Sequence, residues 1–243
     1  MHPIERLRAV ARAPDVDQSL LACEAAAVLA SFGDDPRGLV IACRRLTDRH
    51  PAAGSLWWAC ARLLAAEDVA PAAREVRDEL VGDPTVAVLA LDVPEGAAVA
   101  VVPDVAGGSE LADELGRRRG DLSLAHHPRA LHVGDDRPRL LLVEAAAAGP
   151  DGFLAADGTA EEVAAAREAG VAAWLVVGVG RRLPAALFDV ATARASATGV
   201  PGATGRSSPP VEVVGVAATG RVVEPRRLDC PVPPELLRAP GGW

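Results

Sequence analysis

The chain has 243 residues, half of them hydrophobic, and a formal net charge of −8 with 33 acidic side chains against 25 basic ones, all of the latter arginine. An acidic chain repels phosphate backbones, and its longest basic run, Arg117-Arg118-Arg119, sits at an expected helix end where it complements the helix dipole, so nucleic acid is excluded as a partner. No apolar run approaches the roughly 20 residues of a membrane span, and the four cysteines are scattered without a C-x-x-C pair, so we expect a cytoplasmic protein with no metal and no cofactor.

Residues 1 to 80 read as helices. The stretch 19–30 is rich in Ala and Leu and closes at a Gly-Asp-Asp-Pro turn over 33–36. A helix over 37–49 ends before Pro51. The next, over 54–66, sets Leu56, Trp57, Cys60, Leu63 and Leu64 close to one face, and Pro71 suits the first turn of a last helix that runs to Leu80. The pattern changes at Gly82-Asp83-Pro84. Short β-branched runs over 86–91 and 97–102 predict strands, 109–119 a helix, 140–143 a strand buried on both faces, 159–169 a helix closed by Gly170, and 172–177 another buried strand. Residues 191–210 turn to Ala, Thr, Gly, Ser and Pro and predict a loop, and 211–216 with 221–223 predict a terminal pair of strands around Thr219-Gly220. The expected architecture is α/β: an N-terminal helical domain over 1–82, then a Rossmann-like, mostly parallel sheet domain over 83–243. The dominance of Ala, Arg, Gly, Pro and Val is the mark of a GC-rich bacterial genome.

Four places invite chemistry. The turn Pro103-Asp104-Val105-Ala106-Gly107-Gly108-Ser109 links a strand to a helix, so Gly107, Gly108 and Ser109 offer backbone N–H groups to a phosphate; the same residues also make an ordinary βα turn capped by Ser109. In Gly149-Pro150-Asp151-Gly152, Asp151 is a candidate general acid/base at the crevice beyond the 140–143 strand, or a plain turn former. Gly178-Val179-Gly180-Arg181-Arg182 holds half of a dinucleotide fingerprint and reads as a loop that sets Arg181 or Arg182 over the crevice. His126-His127, His132 and Asp135-Asp136 read as surface turns, since neighbours on a strand point to opposite faces.

Three segments in order resemble the family of the initiation factor 2B alpha, beta and delta subunits, methylthioribose phosphate isomerase and ribose bisphosphate isomerase. His50-Pro51-Ala52-Ala53-Gly54-Ser55-Leu56-Trp57-Trp58-Ala59 is similar to that family's Arg-Pro-Thr-Ala-Val-Asn-Leu helix start. Gly149-Pro150-Asp151-Gly152 with Ala156-Asp157-Gly158 resembles its Gly-Ala-Asp loop and the Asn/Asp-Gly turn that follows. Leu228-Asp229-Cys230-Pro231-Val232-Pro233-Pro234-Glu235-Leu236-Leu237 resembles its C-terminal Phe-Asp-Val-Thr-Pro-Pro-Glu-Leu stretch. The resemblance implies a helical domain on a Rossmann-like domain, a homodimer through the C-terminal half, a catalytic aspartate at Asp151 and a ligand-facing residue at His50.

The departures from that pattern shape the functional expectation. No cysteine stands over 89–93, where the isomerases' catalytic cysteine would fall, and the Asn-Lys pair that holds substrate is replaced by Glu161-Glu162. A carboxylate in place of a cation turns attraction for a phosphate into repulsion, on the order of a few kcal/mol at close range. The expectation is a divergent, non-catalytic protein acting through protein contacts or binding a phosphorylated small molecule. The alternative is a sugar-phosphate isomerase, or a sensor of sugar phosphates or nucleotides, that uses Asp151 as acid/base and Gly107, Gly108, Ser109, Arg181, Arg182 and His50 to hold the ligand.

Overall fold

A computed structural model describes residues 17–104, 110–125, 137–198, 211–224 and 226–238. Aspartates start three of its first helices. Asp17 accepts the N–H groups of Ser19 and Leu20 at 2.8 and 2.9 Å and opens α1 (Gln18–Leu29). Asp35 accepts Gly38 N–H at 2.8 Å and opens α2 (Pro36–Arg49), with Pro36 in its first turn. Helix α3 (Gly54–Leu64) follows, and Asp68 caps α4 (Val69–Val81). These helices pack around Leu29, Leu46, Leu56, Trp57, Trp58 and Leu63, all fully buried.

The expected strand over 86–91 is instead helix α5 (Thr85–Asp92). Its start is fixed by Asp83, whose carboxylate accepts Thr85 N–H at 2.8 Å and the Thr85 hydroxyl. The apolar residues that turn inward are Leu89, Ala90 and Val93, while Leu91 is 86% exposed. That is helical spacing, which β-branched composition disguised over so short a run.

Five strands then form a wholly parallel sheet in the order β2-β1-β3-β6-β8: β1 (Ala98–Val102), β2 (Ser123–Ala125), β3 (Arg139–Glu144), β6 (Ala172–Val176) and β8 (Arg221–Val223). Val99, Val101, Leu140 and Leu142 face one side and Ala100, Leu141 and Val143 the other, and all are buried, as continuous apolar runs in a covered parallel sheet demand. Helix α6 (Glu110–Arg118) covers one face with α5; α7 (Thr159–Glu168) covers the other. A second, antiparallel sheet joins β4 (Ala147–Ala148), β5 (Gly152–Ala156) and β7 (Val211–Gly215).

Two further expectations are corrected. Residues 185–198 form helix α8 (Ala185–Thr198), so the first part of the expected 191–210 loop is helical. Leu187, Ala191 and Ala195 recur every fourth residue on its buried side, and this spacing outweighs the small-residue composition. Residues 199–210 lie outside the described residues. Strands β7 and β8 do not pair with each other. β7 runs antiparallel to β5, and after a 3-10 turn at Val216–Ala218 the chain crosses to the parallel sheet, where Gly220 N–H donates to Ala173 O at 2.9 Å. The last described helix is α9 (Pro234–Leu237). Among the described residues no helix is long and apolar enough to cross a membrane, and no group of three or more His, Cys, Asp or Glu side chains is placed to hold a metal ion.

Candidate functional site

In a parallel sheet the strand order reverses between β1 and β3: β2 lies to one side, and β3, β6 and β8 to the other. At such a switch point the loops leaving the strands diverge and leave a crevice at the carboxyl ends. Here it is a cleft of about 360 Å³, walled by α6 on one side and by the start of α1 and the end of α4 on the other.

Its floor is built from the first residues past each strand. Asp104 follows β1 and is 5% exposed; Glu144 ends β3 and is 9% exposed. Opposite them comes the loop after β6. Gly180 in this loop has φ +74°, and a Cβ there would stand 2.8 Å from Cε3 of Trp58, so only glycine lets the loop lie against α3. The loop is clamped from two sides: Val179 N–H donates to Asp83 Oδ2, just before α5, at 2.9 Å, and Val179 O accepts from Ser55 Oγ of α3 at 3.2 Å. The following residue but one, Arg181, is thereby carried into the cleft.

The Arg181 side chain meets carboxylates on arrival. Its Nη1 lies 3.2 Å from Asp104 Oδ2 and 3.8 Å from Glu144 Oε1, and donates to Ala145 O at 3.0 Å; its Nη2 lies 3.9 Å from Asp17 Oδ2. Gln18 closes the arrangement from α1. Its Nε2 donates to the same Asp104 oxygen at 2.7 Å, and its Oε1 accepts Ser55 N–H at 3.2 Å. A buried guanidinium with two carboxylates in reach is stable where either charge alone would not be.

The wider lining is acidic. Asp17, Asp83, Asp104, Glu110, Glu114 and Glu144 face three arginines, Arg117, Arg118 and Arg181. Arg117 and Arg118, both exposed, share the single carboxylate of Glu114, each at 2.7 Å.

The residues singled out in the sequence are dispersed. Arg181 lines the cleft; Arg182 does not. Arg182 joins Glu224 through Nη2 at 2.8 Å and Nε at 3.1 Å and donates to Gly149 O, which staples the end of β8 to the β4–β5 turn. Asp151 sits in that turn, exposed, with its backbone O accepting Val216 N–H at 2.9 Å, and it is outside the cleft lining. His50 caps α2 through its N–H to Leu46 O at 2.9 Å and is likewise outside the cleft. Glu161 and Glu162 lie in the first turn of α7, exposed and half-buried, and neither lines the cleft. The negative charge expected of that pair is present, but other residues supply it. Gly107, Gly108 and Ser109 lie outside the described residues, as do His126, His127, His132, Asp135 and Asp136.

Asp104, Glu144 and Asp83 went unassigned in the sequence, although a signal existed for two of them. Each is the first ionisable residue after an apolar strand run, and in a parallel sheet that position is the crevice. For Gln18, one polar residue at a helix start, the sequence holds no such signal.

No protein-family model matches the chain, and no curated protein matches it significantly. Solved structures do match in shape. A translation initiation factor eIF-2B from Pyrococcus horikoshii superposes with a TM-score of 0.63 at 10% identity, covering 91% of this chain and 94% of that one. The tetrameric eIF2B-beta2-delta2 complex from C. thermophilum gives 0.62 at 14% identity, over 91% and 88%. The 5-methylthioribose 1-phosphate isomerase from P. horikoshii gives 0.56 at 14% identity, over 91% and 82%. The fold is therefore the one shared by these initiation-factor subunits and this isomerase.

Proposed function

We propose that this protein works through protein contacts on an initiation factor 2B-type fold, in the cytoplasm, and not by turning over a phosphorylated sugar. The observation that carries the reading is the state of Arg181. Nη1 of its guanidinium, the one cation on the cleft floor among the described residues, is already engaged by Asp104, Glu144 and the carbonyl of Ala145. A sugar phosphate entering the cleft has to displace those carboxylates or lie beside them. Two like unit charges 4 Å apart repel by about 4 kcal/mol at an effective dielectric of about 20, and a phosphate dianion roughly doubles that.

One of the matched initiation-factor structures is a tetrameric complex of two kinds of subunit, which supports a role in protein contact. For this chain the partner we infer first is a second copy, joined through the α/β half; light scattering on the purified protein reads its oligomeric state. The acidic cleft is tested by thermal unfolding in the presence of ribose phosphates and nucleoside monophosphates at millimolar concentration. The midpoint is expected to stay where it is without ligand. A saturable rise, or turnover of a ribose phosphate that Asp151→Asn abolishes, overturns the proposal and restores the isomerase or sensor alternative.

A further inference from the structure

After β8 the chain returns across the helical half. Within residues 226–238, Leu236 is fully buried, and Leu228 and Cys230 pack against the core that contains Trp57 and Trp58. Yet among the described residues no backbone-to-backbone hydrogen bond ties this segment to another element. Pro231, Pro233 and Pro234 have no N–H to offer. The ties are side chains reaching for its carbonyls: Trp58 Nε1 donates to Asp229 O at 3.1 Å, and Arg194 Nη2 donates to Leu236 O and Arg238 O, both at 2.9 Å.

Arg194 is the hub of this attachment. It projects from α8, is 7% exposed, and stacks its guanidinium over Trp57 of α3 with Cζ 4.9 Å from the ring centre. Its Nη1 donates to Thr47 Oγ1 at 3.2 Å and lies 2.9 Å from Asp48 Oδ1, both on α2. One planar fork thus joins α8, α2, α3 and the C-terminal segment, and a lysine has neither the plane nor the second arm to do so.

We infer that residues 226–238 form a strap that opens as a unit of its own, locked shut by Arg194, while the sheet and the helices beneath it stay folded. The physical basis is that segments held by a few side-chain contacts open with less free energy than ladders and cores, and do so cooperatively over the stretch the contacts hold. Opening removes the acceptor from Trp58 Nε1 and uncovers the side of the helical half that the strap covers.

The cysteines report this directly. Cys230 sits in the strap, partly buried, with its thiol pushed up to about 12 by burial. Cys43 and Cys60 are fully buried in α2 and α3. The thiolate is the reacting form, so Cys230 reacts with a disulfide reagent such as 5,5′-dithiobis(2-nitrobenzoate) once it leaves its seat, and Cys43 and Cys60 only once the helices come apart. Labelling of the folded protein, mapped peptide by peptide, is expected to modify Cys230 roughly tenfold or more faster than Cys43 and Cys60. Arg194→Lys is expected to raise the Cys230 rate roughly tenfold again and leave the other two where they were. Equal acceleration of all three, or no change at Cys230, overturns the inference. Should Arg194→Lys fail to fold, the wild-type protein decides by itself. A Cys230 rate that rises with urea, but less steeply than the Cys43 rate, supports the strap. A slope equal to that of Cys43, or no slope at all, means that the segment opens only with the whole molecule or never covers its thiol, and either result overturns it.

Discussion

At the residue scale the telling feature is that the charges buried on the cleft floor sit against one another. Arg181 shows the consequence. With the guanidinium removed, Asp104 and Glu144 remain on the floor of the cleft, 5% and 9% exposed, facing each other's charge. Breaking such a pair typically costs about 3 to 5 kcal/mol. Arg181→Met should therefore lower stability by about that much in urea unfolding at neutral pH, and adding Asp104→Asn and Glu144→Gln should recover a large part of it. A loss under about 1 kcal/mol would mean that the pair is solvated and the cleft floor is wet. A second residue-scale case is Asp121. Its carboxylate accepts from Arg119 Nε and Nη2, both at 2.7 Å, and from Gly96 N–H at 2.8 Å, and these bonds, Arg119's first, hold its carboxyl far below the usual carboxylate range. Arg119 in turn donates to Ala90 O and Val93 O at 2.6 and 3.0 Å, so the pair ties the end of α5 to the entry of β1. A depressed pKa stabilises the folded state at all pH values above the unfolded-state pKa, about 3.9, and the stabilisation drains away as pH falls through the folded one. Asp121→Asn should accordingly unfold at lower urea than the wild type at pH 7, and the two curves should converge as pH is taken below about 4. Curves that stay parallel down to about pH 2 would remove Asp121 from the acid limb.

At the element scale the cleft depends on the loop after β6 lying flat on α3, and two glycines separate the causes. Gly180 combines φ +74° with Trp58 Cε3 2.8 Å from where a Cβ would stand; Gly158 has φ +91° with nothing within 4 Å. The backbone cost of a left-handed non-glycine residue is about 1 to 2 kcal/mol, and overpacking adds about 1 to 3. Gly158→Ala should thus cost about 1 kcal/mol and Gly180→Ala about 2 to 5, measured by urea unfolding. Equal costs would show that the loop gives way and that Trp58 does not define its seat. The same contrast between local and distant causes explains what the sequence let one read. β1, β3, β6 and α7 were legible because their patterns are local: unbroken apolar runs between turn residues, and a helix that stops at Gly170. Val86 and Val88 favour a strand over the residues of α5, whereas the deciding interactions are the Thr85 N–H bond to Asp83 and the burial of Leu89 and Ala90. The sequence points to Arg181 or Arg182 over the crevice, since loops after parallel strands point there, but does not say which; Arg181 lines the cleft and Arg182 does not. That two carboxylates had already claimed Arg181 depended on β1 and β3 being neighbours, a fact of strand order that no local pattern carries.

At the scale of the whole molecule, solved structures that share only 10 to 14% of its residues superpose on the fold, as expected where the distribution of buried volume matters more than the identity of each side chain. The same distribution decides how the chain unfolds. One apolar cluster contains Leu29, Leu46, Leu56 and Trp57 from the helical half together with Leu154, Val179, Leu187 and Leu236 from the α/β half. Side chains of both halves are buried together in it. Gly54 N–H even donates to Ala146 O at 3.0 Å, and a Cβ on Gly54 would stand 2.8 Å from that oxygen, so the first turn of α3 is seated on the β3–β4 connection. The sequence divides at about residue 82 by composition, but a boundary in composition becomes a boundary in stability only if each side buries its own core. Shared burial predicts one heat-unfolding transition, with calorimetric and van't Hoff enthalpies equal. Leu56→Ala in the helical half and Leu142→Ala in the parallel sheet, both fully buried, should each lower that single midpoint, with costs of about 2 to 5 kcal/mol, without splitting it. Two resolved transitions, one moved only by Leu56→Ala and the other only by Leu142→Ala, would instead make residues 1–82 and 83–243 separate folding units whose contact is too weak to couple them.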